Sequence, residues 1–367
     1  MSAEGNGLVS TVLSAHEFWW DSHPDFYKDW HRSLAPVTGG AVLGSFGIGP
    51  DLLVEDGLFQ GVTTNPALIR AAIDSDLTRS PGVDSLHSIA DFWCEYRRSI
   101  ERAAAYGLGT WLKSNGRYGW VCAQVDPWLL GDSAAMFDHG MELSRLAPNV
   151  MVKVPGCRAG FAAIAELITA GASVNATATV SVSQAVAFCR AVKLGLRERK
   201  ASADVPARYV FTLMLGRIGR HPSLAEDPRT TPALGVRWLE IAVARAVHRQ
   251  LANSALPVDL LFSSARFDDG AAHPALHLTH TPPGAIFTIN PAAASHVVSR
   301  SVLLAAKSDR EPPPTVRDWY DSIPDAINLL NCDVPPSAFE DWPQFQDAIS
   351  MAQAAASVQS HKFIKET

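Results

Sequence analysis

At 367 residues, with 47% apolar and 19% charged side chains, the chain has the composition of a globular protein with a large packed core and not of a disordered segment. It is long for one sandwich and ordinary for a single α/β barrel with additions. A net charge of −6 gives no electrostatic reason to expect nucleic acid or an anionic membrane as partner. The five cysteines, Cys94, Cys122, Cys157, Cys189 and Cys332, are odd in number, widely spaced and without a CxxC pair. That argues against a disulfide framework and against a zinc site. No apolar run reaches membrane-spanning length, and residues 1–20 lack the basic start and apolar centre of a signal peptide, so the default compartment is the cytoplasm.

Along the chain, residues 1–40 carry Trp19, Trp20 and Trp30 and read as an N-terminal helical extension packed on the main body of the fold. Eight apolar, β-type runs come next: 41–47, 61–66, 120–126, 150–155, 173–181, 208–215, 258–265 and 284–290. Several are apolar on both faces, as buried parallel strands are. Helical patterns at 160–171, 183–200 and 235–252 lie between them, and a Pro-rich stretch at 311–316 precedes late helices over 339–363. The alternation predicts an α/β fold, a (β/α)8 TIM barrel over 41–367 with additional N- and C-terminal helices. Chemistry in such a barrel sits at the C-terminal ends of the strands. The histidine pair of HLTH, 277–280, reads as a surface loop before the eighth run and not as a zinc site.

Lys153 is the one basic residue in the apolar run NVMVKVPGC. Burying an ammonium is costly, and a lysine in a dry site gives up its proton more readily, leaving a nucleophile for carbonyls. Thr63, Thr64 and Asn65 close the second run just before a proline, which alone is a helix N-cap. In the fifth run Asn175, Thr177 and Thr179 alternate and so share one face, the lumen of a barrel. Arg217 after the sixth run, with Ser264 and Arg266 after the seventh, suits an anionic oxygen cluster such as phosphate; the alternative for each arginine is an ion pair with a carboxylate such as Asp268 or Asp269.

These four segments together resemble the transaldolase family of class I aldolases: GVTTNPALI is similar to its TTNP signature, VMVKVP to its Schiff-base lysine strand, SVNATATVSVSQA to its N-x-T strand, and GRI with SSAR to its phosphate-binding ends. The resemblance runs from 41 to about 300. It implies that Lys153 forms an imine with a ketose, that Thr63, Asn65 and Asn175 hold sugar hydroxyls, that Thr177 positions a water, and that Arg217, Ser264 and Arg266 hold a terminal phosphate. It further implies a three-carbon dihydroxyacetone-type unit transferred or cleaved, a sugar phosphate as partner, and a homodimer. A Schiff base needs no metal or other cofactor, and none is expected.

The pattern departs from the family at two proton-transfer positions. Where an aspartate is expected in the first strand the run at 41–47 offers Gly44 and Ser45, and where the family has E-V-D this chain has Gln124-Val125-Asp126. Neither serine nor glutamine is a base near neutral pH. Fructose-6-phosphate aldolases resemble this chain in carrying glutamine there but keep the aspartate. Three readings are open. One is a Schiff-base enzyme with altered acid/base chemistry, in which Thr177-bound water, Ser45, Asp126 or His221 moves the proton. Another is a true transaldolase in which Asp51 or Glu55 replaces the aspartate. The third is a non-catalytic barrel that binds a sugar phosphate or a partner protein.

Overall fold

The computed structural model describes residues 16–38, 43–44, 46–54, 56–79, 88–199, 206–224, 234–267, 275–299 and 310–357, with Leu86 and Pro232 singly. Eight parallel strands close into a barrel in chain order. They are β1 Glu17–Asp21, β2 Phe59–Thr63, β3 Trp120–Gln124, β4 Val150–Pro155, β5 Val174–Thr179, β6 Tyr209–Leu213, β7 Val258–Phe262 and β8 Ile286–Ile289. β1 joins both β2 and β8, which completes the ring.

Helices wrap the outside: α1 Tyr27–Thr38, α2 Pro66–Arg79, α3 Ile89–Lys113, α4 Ser133–Ser144, α5 Arg158–Thr169, α6 Val182–Glu198, α7 Gly235–Asn253, α8 Leu276–His280 and α9 Pro291–Ser299. α10 Pro314–Asp321, α11 Pro324–Leu330 and α12 Pro343–Ala356 come after the barrel. Several begin on side-chain caps that accept orphan amides: Ser88 from Asp91, Asp132 from Ala135 and Ser181 from Gln184. Among the described residues no helix is long and apolar enough to cross a membrane.

Seven of the eight expected strands fall where the apolar runs lie, and the first does not. Its place at 41–47 holds a helical pair, Leu43 and Gly44, and a turn at Phe46 and Gly47, where Gly47 takes φ +66°. Leu43 and Phe46 of the run, with Ile48 just after it, are buried, so its described residues are apolar because they pack on the core, without being part of a strand. The real first strand lies inside the stretch expected to be a helical extension. Its three aromatic residues are inaccessible on both faces. Outward, Trp20 packs against Tyr27, Trp30 and Phe59, with ring centroids 5.0–5.4 Å from it.

Inward, Trp19 fills the lumen against Gly61 of β2, where any Cβ would come within 2.5 Å of the indole. With a side-chain period of two, Trp19, Gly61, Cys122, Met151, Val210 and Ile286 form a layer directly beneath Asp21, Thr63, Gln124, Lys153, Thr212 and Thr288. Most of that lower layer belongs to one apolar cluster. Below it Arg208 donates to both oxygens of Glu17 at 2.9 Å and to Asp259 at 2.7 Å, with its guanidinium 5.5 Å from the Trp19 ring. The Arg208 pKa is raised although burial opposes this, because the Glu17 and Asp259 charges outweigh desolvation. The barrel floor is thus plugged and latched, and the upper layer is left polar.

Candidate active site

The upper layer opens into a cavity of about 140 Å³ at the C-terminal ends of the strands, where Asp21, Gln124, Lys153, Thr177 and Arg217 meet. Lys153 is 7% exposed and donates from Nζ to the Thr64 carbonyl at 3.3 Å. Its register neighbours are Gln124 on β3 and Asn175 on β5, so the three stand in one row across adjacent strands. Asn175, expected to hold a sugar hydroxyl, is fully buried and does not line the cavity: it donates to Cys122 Sγ at 3.4 Å and accepts from the Thr212 hydroxyl at 2.6 Å. Burial pushes the Cys122 thiol up to about 11, which leaves it a packing group and a weak acceptor.

Asp21 is the carboxylate that the run at 41–47 does not supply. It ends β1, pairs in register with Thr63, and accepts the Thr63 hydroxyl at 2.6 Å. Thr63 is bonded in turn to the Thr288 hydroxyl. Burial raises the Asp21 carboxyl above its ordinary 3.8, against the pull of Lys153, of the Thr63 hydrogen bond and of Arg217. A carboxyl so placed beside an amine has the character of a general base or acid.

Thr63, Asn65, Gln124, Lys153, Thr177, Arg217 and Ser264 all line the cavity, as the sequence predicts for them. Asn65 also serves as a helix cap, accepting from Leu68 N at 3.0 Å. Thr179, expected on the same face as Thr177, does not line it. β5 bulges: the register slips between Ala176 and Thr179, and Ala178 takes φ +56°, so Ala178 reaches the cavity while Thr179 bonds the Thr212 carbonyl. A left-handed alanine costs about 1–2 kcal/mol, a cost the surrounding barrel absorbs.

Ser45 and Glu55 lie outside the described residues, as do Asp268 and Asp269. Asp51 is exposed and lines a different cavity of about 310 Å³ with Tyr27, Lys28 and Lys113. It is therefore not a substitute base. Asp126 caps the turn after β3 through Trp128 N at 2.9 Å. His221 bonds Ser223, faces Asp325 at 3.6 Å and does not line the cavity. Arg266 does not line the cavity: it is exposed, and its guanidinium donates to the Gly216 carbonyl at 3.3 Å. The HLTH histidines, expected at the surface, are buried on α8. His277 Nδ1 accepts from Arg266 N at 3.0 Å and its Nε2 bonds Glu240 at 2.9 Å. Burial would raise Glu240, but His277 and Arg237 beside it outweigh that and lower its carboxyl.

Thr212, Thr288 and α12 complete the lining and were not singled out from sequence. Thr212 and Thr288 are each the lone threonine in an otherwise apolar or aromatic strand, the same anomaly that marks Lys153. Among the described residues no group of three or more His, Cys, Asp or Glu is placed to hold a metal ion.

The turn that carries Arg217 is held by a close approach. Gly216 abuts Ser264, itself at φ +55°, so that a Cβ on Gly216 would collide with the Ser264 carbonyl. Gly216→Ala is expected to lower stability by about 1–3 kcal/mol, measured by denaturant unfolding, because both colliding atoms are tied to backbone.

A family model described as Transaldolase/Fructose-6-phosphate aldolase matches residues 51–258. Transaldolase 1 of Streptomyces coelicolor is 39% identical over 157 residues, 39% of either chain. The transaldolase of Thiobacillus denitrificans is 33% identical over 176 residues, 46% of this chain and 49% of its own. That of Mycolicibacterium paratuberculosis is 29% identical over 164 residues, 42% of this chain and 43% of its own. The matched parts span less than half the length of these relatives. The family match includes Gln124 and Lys153 and begins after Asp21.

Proposed function

Since the chain belongs to the transaldolase/fructose-6-phosphate aldolase family, we propose that it is a Schiff-base enzyme acting on ketose phosphates through Lys153. The observation that carries this reading is the meeting of Lys153 and Asp21 in one cavity. The Lys153 amine adds to the ketose carbonyl and loses water to give a protonated imine. Asp21, as carboxylate, takes the proton of the hydroxyl on the far carbon of the scissile C–C bond. That bond's electron pair passes into the imine, leaving a three-carbon enamine on Lys153 and a free aldehyde. The enamine then adds to a second aldehyde, which is transfer, or takes a proton and is hydrolysed, which is simple aldol cleavage. Thr63 and Asn65 bond the sugar hydroxyls, Thr177 holds the water, and Arg217 with Ser264 receives the phosphate; Asn175, buried beneath the lining, orients Thr212 instead.

The altered acid/base chemistry of this reading narrows to one position. Asp21 supplies the carboxylate, so Gln124 alone departs from the family's transaldolase pattern, and the Asp–Gln pair is that of its fructose-6-phosphate aldolases. Glutamine holds a water by hydrogen bonds but cannot take its proton. Imine formation and hydrolysis then proceed without a side-chain base, and the enzyme acts as an aldolase with slow exchange of its three-carbon unit.

Borohydride added with fructose 6-phosphate or dihydroxyacetone is expected to fix the mass of the ketose, or of its three-carbon unit, onto Lys153, read by peptide mass spectrometry. Failure to trap any adduct with either ketose would remove this reading in favour of a barrel that binds without turnover.

A further inference from the structure

α12 lies across the barrel mouth and is pinned at several points. Gln344 donates to the Ile218 carbonyl at 3.0 Å and Gln353 to the Pro127 carbonyl at 3.2 Å. Past its C-terminal end, the buried Arg70 of α2 donates to the Ser357 carbonyl at 3.0 Å, a cation at the negative pole of the helix. Ala348, Ile349, Met351 and Ala352 thereby roof the cavity.

One turn before Met351, Asp347 places a single oxygen, Oδ2, against two guanidinium groups, Arg217 at 2.8 Å and Arg220 at 3.1 Å. Arg217 is the guanidinium that lines the cavity, and its side chain is 16% exposed against 43% for Asp347. The guanidinium facing the ligand space is thus already engaged by an internal carboxylate.

We infer that Asp347 is a specificity-determining residue that sets how strongly the site favours a phosphorylated over an unphosphorylated ketose; this rests on the proposed reading of the same cavity. The charges make the argument. Two arginines and one carboxylate sum to +1, so a phosphate dianion arriving at Arg217 must displace Asp347 or sit beside a like charge. The carboxylate is the exposed member of the pair and can turn to water when displaced, so displacement is feasible. It still subtracts from the affinity of every phosphorylated ligand, and it costs an uncharged hydroxyl nothing. Asp347 released from Arg217 retains Arg220, which keeps α12 in place during the exchange.

The test compares the wild-type chain with Asp347→Asn and Asp347→Glu. In Asp347→Asn the ratio of KM for dihydroxyacetone to KM for fructose 6-phosphate is expected to rise about tenfold, and Asp347→Glu is expected to restore the wild-type ratio. Inorganic phosphate is the second probe: calorimetry is expected to give binding about tenfold tighter in Asp347→Asn, with the gain diminishing at high salt as the charge term is screened. An unchanged ratio, or both KM values moving together with a drop in Tm, would overturn the inference and leave Asp347 a packing contact. Absence of turnover and of any trapped adduct in the wild type would count against the proposed function instead. The phosphate measurement decides the role of Asp347 in either case, and equal phosphate affinity in the two proteins would also overturn it.

Discussion

Asp21→Asn is expected to lower turnover about 10²–10⁴-fold, the span of a general base, while leaving the borohydride-trapped adduct on Lys153 intact. Imine formation does not draw on the Asp21 proton step, whereas C–C cleavage does. The pH dependence separates this from a packing defect. The Asp21 carboxyl is held above its ordinary 3.8 by burial, so the base is lost on acidification at a pH above that of a free aspartate. The acid limb of kcat in the wild type is expected above pH 3.8 and is expected to be absent from the residual activity of Asp21→Asn. Stability carries the opposite sign. A carboxyl with a raised folded pKa binds its proton more tightly in the native state, so native stability falls as pH rises from the unfolded value through the folded one. At neutral pH the asparagine variant is therefore expected to unfold at higher denaturant than the wild type, a gain in stability at a loss of function. Loss of both activity and stability would refute the assignment of Asp21 as the base.

Lys153→Met is expected to abolish the adduct and reduce turnover to background, because no other amine lines the cavity among the described residues. The substitution keeps an unbranched side chain of similar length and removes an ammonium that is 7% exposed. Its Tm is expected to fall at neutral pH and to recover on acidification, since removing one member of a buried charge pair leaves the Asp21 carboxylate uncompensated until it is protonated. Lys153 also pulls the Asp21 carboxyl downward, so removing it raises Asp21 further. A variant that still traps borohydride-fixed ketose would exclude Lys153 as the nucleophile. Peptide mapping of the adduct decides that directly.

Much of this site is legible in sequence because barrel strands buried on both faces tolerate few polar residues, and each one stands out. Lys153, Asn175 and Thr177 are visible for that reason, and the registers that align Gln124, Lys153 and Asn175 agree with it. Asp21 escapes the same logic. It ends a strand of five residues whose centre is Phe-Trp-Trp, and adjacent tryptophans read as a packing stripe with either helical or extended periodicity. The run at 41–47 competes for the assignment because a buried loop is as apolar as a strand. A signal is nevertheless present: Asp21 is followed by His23 and Pro24, a cap and first residue that begin the next turn, as expected where a strand has just ended. Thr179 fails for a different reason. Alternation holds only while the ladder is regular, and nothing in NATAT marks Ala178 as the residue that turns left-handed. Arg217 and Asp347, separated by 130 positions, meet only through tertiary packing.

The plugged floor carries a kinetic consequence. With Trp19 occupying the lumen and Arg208 clamped beneath it by Glu17 and Asp259, the chamber is closed from below, and among the described residues the mouth under α12 serves for both entry and exit. On the proposed reading, the first aldehyde leaves through the doorway that the second enters, and transfer in such a vessel takes place by alternation, with the three-carbon unit waiting on Lys153 between visitors. Double-reciprocal plots at several acceptor concentrations are then parallel, and an acceptor present in excess competes with the donor for the empty chamber.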